Sequence, residues 1–218
     1  VKPDTPHRET HDGNEVLFCS AGCKTKFQAD PDQYLKPAAK AQQIKGTAID
    51  GAAIGGPFTL YDKTGKRVSW DDFKGKYRIV YFGYTFCPDA CPMDMSVLIN
   101  GFNLFAKDHP EQAAEVQPIF ITIDPARDTA SRVGEFTAAF SPRLIGLTGS
   151  QAEIDVAVKA FKVVAARGAN TPGGYLMDHS RMAYLMGRNG EPIASLPVDL
   201  GIANGPAAVA DDLAKLVK

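Results

Sequence analysis

Seven residues, Tyr77-Arg-Ile-Val-Tyr-Phe-Gly83, run directly into Tyr84-Thr-Phe-Cys87-Pro-Asp-Ala-Cys91-Pro92. The run is long and rich in β-branched and aromatic residues, which predicts a central strand covered on both faces. Such a strand commits the chain to packing layers on either side. The residues after Cys91 supply one of them. Leu98, Phe102 and Phe105 recur at i, i+4 and i+7 of a helix that ends before Pro110. A cysteine pair at a strand-to-helix junction is chemically well placed, because free amide N–H groups and the helix dipole favour the thiolate. Residues i and i+4 of a helical turn face the same way, so the two sulfurs are expected to chelate one soft metal ion or to close to a disulfide.

Alternation continues downstream. Val116 to Ile123 reads as a strand ended by Asp124-Pro125, and Val133, Phe136 and Phe140 mark a helix ended by Ser141-Pro142. Leu144 to Leu147 is a short strand, and Ser150 with Glu153 forms a capping box for a helix through Ile154, Val158 and Phe161. Met182 to Met186, a turn at Arg188-Asn189-Gly190, and Pro192 to Pro197 read as a hairpin. Pro206 is expected to open a closing helix with Val209, Leu213 and Leu216 inward. Upstream, Phe58 to Tyr61 and Arg67-Val68 flank a turn at Thr64-Gly65. The order β-α-β-α-β-α-β-β-α predicts an α/β fold, a mixed sheet flanked by helices.

Composition removes several classes of function. The 218 residues hold 24 Lys+Arg against 25 Asp+Glu with no long basic run, so a phosphate-binding footprint, and with it nucleic acid, has no support. A hydrophobic content of 44% excludes a disordered chain. No apolar stretch approaches the roughly 18–20 residues of a membrane helix, although a chain starting at Val1 leaves an upstream signal or anchor open. Four cysteines in two C-x3-C pairs, Cys19/Cys23 and Cys87/Cys91, are too few for a disulfide scaffold and point to metal or redox chemistry. Residues 1–36 form a small polar α+β piece, with a hairpin turn at Asp12-Gly13-Asn14 and a helix from Ser20 to Ala29. A piece this small needs a metal or a larger neighbour for stability. Residues 37–47 read as a linker and 48–218 as the main domain.

Three segments of that main domain, in order, are Tyr84-Thr-Phe-Cys-Pro-Asp-Ala-Cys-Pro92, Ile121-Thr-Ile-Asp-Pro-Ala-Arg-Asp-Thr129 and Asp178-His-Ser-Arg-Met-Ala-Tyr-Leu185. Together they resemble the Sco/SenC family of copper chaperones. The resemblance implies a thioredoxin-like fold, copper held by Cys87, Cys91 and His179, and delivery to the dinuclear copper site of cytochrome c oxidase. It implies as partners the oxidase's copper-site subunit or another copper acceptor, and a thiol reductase. It also implies a periplasmic or envelope-facing location, with membrane contact only through an anchor outside this chain. Sulfur ligands suit Cu(I) and an added imidazole suits Cu(II), so this set can hold either state. In such a fold Asp178-His179 falls in the loop before the hairpin strand, where a thioredoxin carries a cis-proline. No proline lies between Pro172 and Pro192, which leaves room for a ligand.

Residues 5–35, with Phe18-Cys19-Ser-Ala-Gly-Cys23, Phe27 and Asp30-Pro31, are similar to a YHS domain, a small metal-associated module. That likeness implies a second metal ion at Cys19 and Cys23, with His7 or His11 to complete the set. Rival readings stand beside these. Cys87 and Cys91 also suit a structural disulfide or a thiol-disulfide oxidoreductase in which either supplies the attacking thiolate, and a copper or redox sensor is a third class; the missing cis-proline and His179 favour the chaperone over the reductase. Delivery is transfer rather than turnover, so enzymic activity belongs only to the oxidoreductase reading. Asp178 is expected to orient His179 or to cap a turn, and Asp128 to cap a helix rather than ligate. Asp124 marks a strand end. His109, Met93, Met95 and the Leu98–Phe102–Phe105 stripe are expected to be structural.

Overall fold

A computed structural model describes residues 5–11, 14–18, 20–29 and 44–218 of the chain, which divides into two compact units, 1–43 and 44–218. In the smaller unit, strands β1 (Arg8–His11) and β2 (Asn14–Leu17) pair antiparallel across the expected turn, and helix α1 (Ala21–Ala29) follows. Its described core is essentially two rings, Phe18 and Phe27, 5.1 Å apart. The Lys24 ammonium donates to the Arg8 carbonyl at 2.7 Å and pairs with Glu9 at 3.2 Å, tying helix to hairpin.

Of the expected linker, residues 37–43 lie outside the described ones, whereas its end belongs to the larger unit. The amides of Lys45 and Gly46 each donate at 2.8 Å to the buried carboxylate of Asp212. Strand β3 (Thr47–Ala48) then joins the edge of a six-stranded sheet. Strands β4 (Thr59–Tyr61) and β5 (Arg67–Ser69) form a separate hairpin. Next come β6 (Tyr77–Gly83), α2 (Ala90–Asp108), α3 (Pro110–Ala114), β7 (Val116–Thr122), α4 (Ala130–Ala138), β8 (Ile145–Leu147) and α5 (Gln151–Ala160). The chain finishes with β9 (Ala165–Thr171), β10 (Gly174–His179), β11 (Ala183–Met186), β12 (Pro192–Leu196) and α6 (Gly201–Leu216). Sheet order is β3-β12-β11-β6-β7-β8, with β6, β7 and β8 parallel and β11 and β12 antiparallel. This is the mixed, thioredoxin-like α/β sheet that the sequence implies.

Every residue of β6 is buried, as a strand covered on both faces requires. Tyr81 and Phe120 are in register and so share a face. On it lie α2 and α4, the latter through Phe136, 5.0 Å from the Phe120 ring. Helix α6 lies along α2, whose Gly101 has no Cβ because Val209 occupies that space. The opposite face buries Phe82 against Phe161, which follows α5, and Phe161 against Trp70.

Three expectations are corrected. Asp128 does not cap α4: Thr129 does, its hydroxyl accepting from the Arg132 amide. Pro206 lies inside α6 rather than opening it, because a 3-10 turn over Val198–Leu200 starts the helix early and the proline removes only one backbone bond. Asp178-His179 is not loop but the end of β10. Neither strand of the β9–β10 hairpin shows apolar alternation: β9 is mostly exposed, and the apolar residues of β10 are consecutive, Tyr175-Leu176-Met177. Among the described residues no helix is long and apolar enough to cross a membrane.

Candidate metal centre

The centre lies at the C-terminal end of β6. That strand ends at Gly83, a position with no room for a side chain: a Cβ there would stand 3.1 Å from the Cys91 sulfur and 2.9 Å from the Tyr81 ring. The chain then turns through residues 84–89, held by Asp128. Its carboxylate accepts from the Thr85 amide (2.9 Å), the Thr85 hydroxyl (2.6 Å) and the Thr122 hydroxyl (2.6 Å). Asp128 is therefore the brace of the cysteine loop.

Cys87 does not share a helical face with Cys91, as the spacing predicts; α2 begins at Ala90, three residues later. The contact arises differently. Asp89 gives α2 no side-chain cap, and the Cys91 amide donates instead to the Cys87 sulfur at 3.4 Å. A sulfur in that place collects the field of the helix terminus. The Cys91 thiol, His179 and the amides of Cys91 and Asp89 all hydrogen-bond the Cys87 sulfur and hold its pKa well below the thiol range, against the opposing effect of burial. Cys91 moves the other way: as donor to the Cys87 thiolate, in a buried position, it keeps its proton. The reduced pair is thus one half-buried thiolate and one buried thiol.

His179 arrives from the hairpin. Its Nδ1 lies 2.9 Å from the Ser180 carbonyl, which only accepts, so Nδ1 carries a proton and Nε2 is the ring nitrogen turned to the sulfurs, 3.2 Å from Cys91 Sγ. Tyr81 and Tyr84 stand edge-on to the imidazole at 6.3 and 5.9 Å. Asp178 is exposed and orients nothing here; the backbone carbonyl performs that task.

Two residues that the sequence reading did not single out hold the imidazole segment to the cysteine helix. Asp94, fully buried one turn after Cys91, accepts from Arg181 Nη2 (2.6 Å), Arg181 Nε (3.0 Å) and the Tyr81 hydroxyl (2.8 Å). The bidentate bond keeps Arg181 strongly protonated. The clue was in the spacing. An acid at i+3 from a buried cysteine shares its helical face, so it must be buried with a partner.

The structure places the remaining candidates plainly. Met95 is buried in the core, Met93 is half-buried on the same helix, and the Leu98–Phe102–Phe105 stripe is buried. His109 stacks on Phe105 at 5.3 Å and ends α2, a structural role. Asp124 is buried and bonded to Arg127 Nε (2.5 Å) and the Tyr175 hydroxyl (2.7 Å). Cys23 is exposed on α1, whereas Cys19 lies outside the described residues, as does the side chain of His11. Among the described residues no three His, Cys, Asp and Glu side chains form a ready-made cage. What stands at the sheet end is a hydrogen-bonded cluster of two sulfurs and an imidazole.

A sheet of this order, with Cys-x3-Cys after its central parallel strand and an imidazole from a neighbouring hairpin, defines a thioredoxin-like protein with a thiol–imidazole centre. Residues 46–218 match SCO1/SenC. The chain is 45% identical over 143 residues to Protein SenC of Rhodobacter capsulatus, covering 65% of this chain and 62% of that protein. It is 41% identical over 142 residues to the mitochondrial SCO1 homolog 1 of Arabidopsis thaliana, covering 65% of this chain and 42% of that protein. The structure of Bradyrhizobium japonicum ScoI with copper bound matches with a TM-score of 0.66 at 36% identity, covering 75% of this chain and 99% of that one. The chain belongs to the SCO1/SenC family. It spans less than two thirds of the length of these two curated relatives.

Proposed function

We propose that the chain is a copper chaperone in which Cys87, Cys91 and His179 hold the ion, to be passed to the dinuclear copper site of cytochrome c oxidase. The observation that carries this reading is the Cys91–His179 contact: an imidazole whose Nδ1 is held by a backbone carbonyl turns Nε2 to a sulfur 3.2 Å away, beside a second sulfur held as thiolate. Metal–sulfur and metal–nitrogen bonds of about 2.3 and 2.0 Å set sulfur and nitrogen roughly 3.5–3.7 Å apart across a tetrahedral or trigonal ion. The contact needs to open only a few tenths of an ångström. The chemistry of the donors agrees: two sulfurs satisfy Cu(I), and the imidazole adds a ligand suited to Cu(II). Release to an acceptor follows by ligand exchange, an incoming thiolate replacing Cys87, the more exposed of the pair. Membership of the family and the copper bound by a relative support the assignment. The same reading places the protein on an envelope-facing side of a membrane, and assigns the smaller unit a YHS-like, metal-associated role through Cys19 and Cys23.

Copper titration of the reduced protein tests it. Cys87→Ser should abolish the thiolate-to-copper charge-transfer band, and His179→Ala should weaken Cu(II) far more than Cu(I). An unchanged band in the first variant, or equal losses in the second, would overturn the ligand set.

One observation favours a second reading. A half-buried thiolate beside a buried thiol is the arrangement of a dithiol reductant. Cys87 would attack an acceptor disulfide, expelling one thiolate. Cys91, giving up its proton, would then displace the other and leave a Cys87–Cys91 disulfide. Reduction of a model disulfide that survives Cys87→Ser would exclude it.

A further inference from the structure

Next to Cys87 the surface carries an alternating stack of cations and rings. The Arg132 and Arg127 guanidinium carbons lie 3.9 and 4.7 Å from the Phe86 ring centre, and those of Arg127 and Arg167 lie 3.6 and 4.1 Å from that of Tyr175. The contacts run Arg132–Phe86–Arg127–Tyr175–Arg167, from the residue before Cys87 to the strand paired with the one that carries His179. Of these three guanidinium groups Arg127 is the one ion-paired among the described residues, its Nε donating to Asp124. Arg132 Nε donates to the neutral Thr85 hydroxyl (3.2 Å), and Arg167 Nη2 to the neutral Asn170 side chain (3.3 Å). Among the described residues no ion pair joins either to a carboxylate, although Asp89 and Asp178 are exposed on the neighbouring segments. Arg127 Nη2 is buried with no hydrogen-bond partner.

Stacking engages the face of a guanidinium and leaves its N–H edge for a carboxylate, in the fork geometry that binds both oxygens. The stack therefore holds these edges in place before a partner arrives. Phe86, 36% exposed, adds an apolar contact in the same strip. A protein that takes an ion from Cys87 by sulfur-to-sulfur exchange has to cover the residue next to it. The chain's net charge of −1 supplies no general attraction for an anionic partner, so any steering comes from this local strip.

We propose that the Arg132–Phe86–Arg127–Tyr175–Arg167 stack is the docking strip for an acidic surface on the protein that takes copper from the Cys87–Cys91–His179 centre, an inference that rests on the copper-chaperone reading. The full chain, loaded with one equivalent of copper, is mixed with two synthetic acceptor peptides that share a Cys-x3-Cys pair and differ only in flanking Glu or Gln. Decay of the charge-transfer band gives the transfer rate. At low salt the Glu peptide should be faster by about tenfold, and the advantage should fade at ~0.5 M salt, as steering is screened. Arg132→Gln/Arg167→Gln should bring the two peptides to within about threefold of each other with one copper still bound. If Arg132→Gln disturbs Thr85 and loading fails, Arg167→Gln alone should still reduce the ratio. Equal rates for the two peptides, or a Glu advantage indifferent to the arginines, would overturn the proposal. So would binding to phosphatidylserine vesicles that depends on the same arginines without peptide discrimination, which would assign the strip to a membrane surface. Failure of the copper reading is seen separately, as a band that never forms before any peptide is added.

Discussion

Asp94→Asn asks whether the centre is held together from behind. Asp94 is fully buried, and its carboxylate takes two bonds from Arg181, at 2.6 and 3.0 Å, and one from Tyr81 at 2.8 Å. Breaking a fully buried ion pair costs about 3–5 kcal/mol. The Arg181 side chain is 43% exposed, however, so water recovers much of its share. Asparagine also keeps the shape and one acceptor, and hydrogen bonds to charged groups are worth about 1.5–3 kcal/mol, which leaves a net loss of about 1–2 kcal/mol after solvent screening. Denaturant unfolding of Asp94→Asn, Arg181→Gln and the double variant should show a coupling of that size, the double costing less than the sum. The metal readout is more specific. Arg181 is two residues from His179, so loosening it should lower Cu(II) affinity about 5–30-fold, the equivalent of about 1–2 kcal/mol. Cu(I), satisfied by the two sulfurs, should be nearly unaffected. Strictly additive stability losses, or equal loss of both oxidation states, would refute the reasoning.

Three further outcomes are expected. Gly83→Ala pushes a methyl group against Cys91, Tyr81 and Phe120 and should cost about 1–3 kcal/mol, lowering Tm by several degrees and shifting the copper band; an unchanged Tm would contradict the packing. Iodoacetamide should modify Cys87 before Cys91, at a rate nearly flat between about pH 6 and 8, where a thiol of ordinary pKa, about 8.5, gains about tenfold per unit. The sign follows from the lowered folded-state pKa: the thiolate and its stabilising bonds are fully expressed above the unfolded value, and are lost only as pH falls through the depressed one. Mass spectrometry that finds a tenfold rise per unit at Cys87 would exclude this. To test the smaller unit, the full chain carrying Cys87→Ser/Cys91→Ser and loaded with Cu(I) should retain copper on a desalting column only while Cys19 and Cys23 are present; loss in both forms would leave that unit without a metal role.

What was legible in the sequence follows the depth of burial. Strand β6 announces itself because every side chain on it is covered, and α2 because its apolar stripe recurs at helical spacing. Cys87, Cys91 and His179 were nameable from the motif segments, and the structure brings the three into hydrogen-bond contact. The mechanics of that contact were not legible. A pair at i and i+4 suggests one helical face, yet Pro88 and Asp89 delay the helix, and the sulfur ends up before it rather than on it. The hairpin carrying His179 has no fully buried residue and no apolar alternation, so its strand pairing depends on partners that periodicity does not display. Acids often precede helices, and Asp128 fits that pattern in sequence without capping the helix in the structure. Its three donors come from Thr85 and Thr122, brought to it by the folded sheet end.

The sulfur that stands in for a missing cap has a dynamic consequence. Helix α2 has no oxygen from Asp89 to receive its leading amides, and the Cys91 N–H rests on Cys87 Sγ. Any bond that this sulfur forms, to an ion or to another sulfur, withdraws electron density from that amide. The exchange rate of one backbone proton then reports whether the thiolate is committed, slow while the sulfur is free and faster once it is taken.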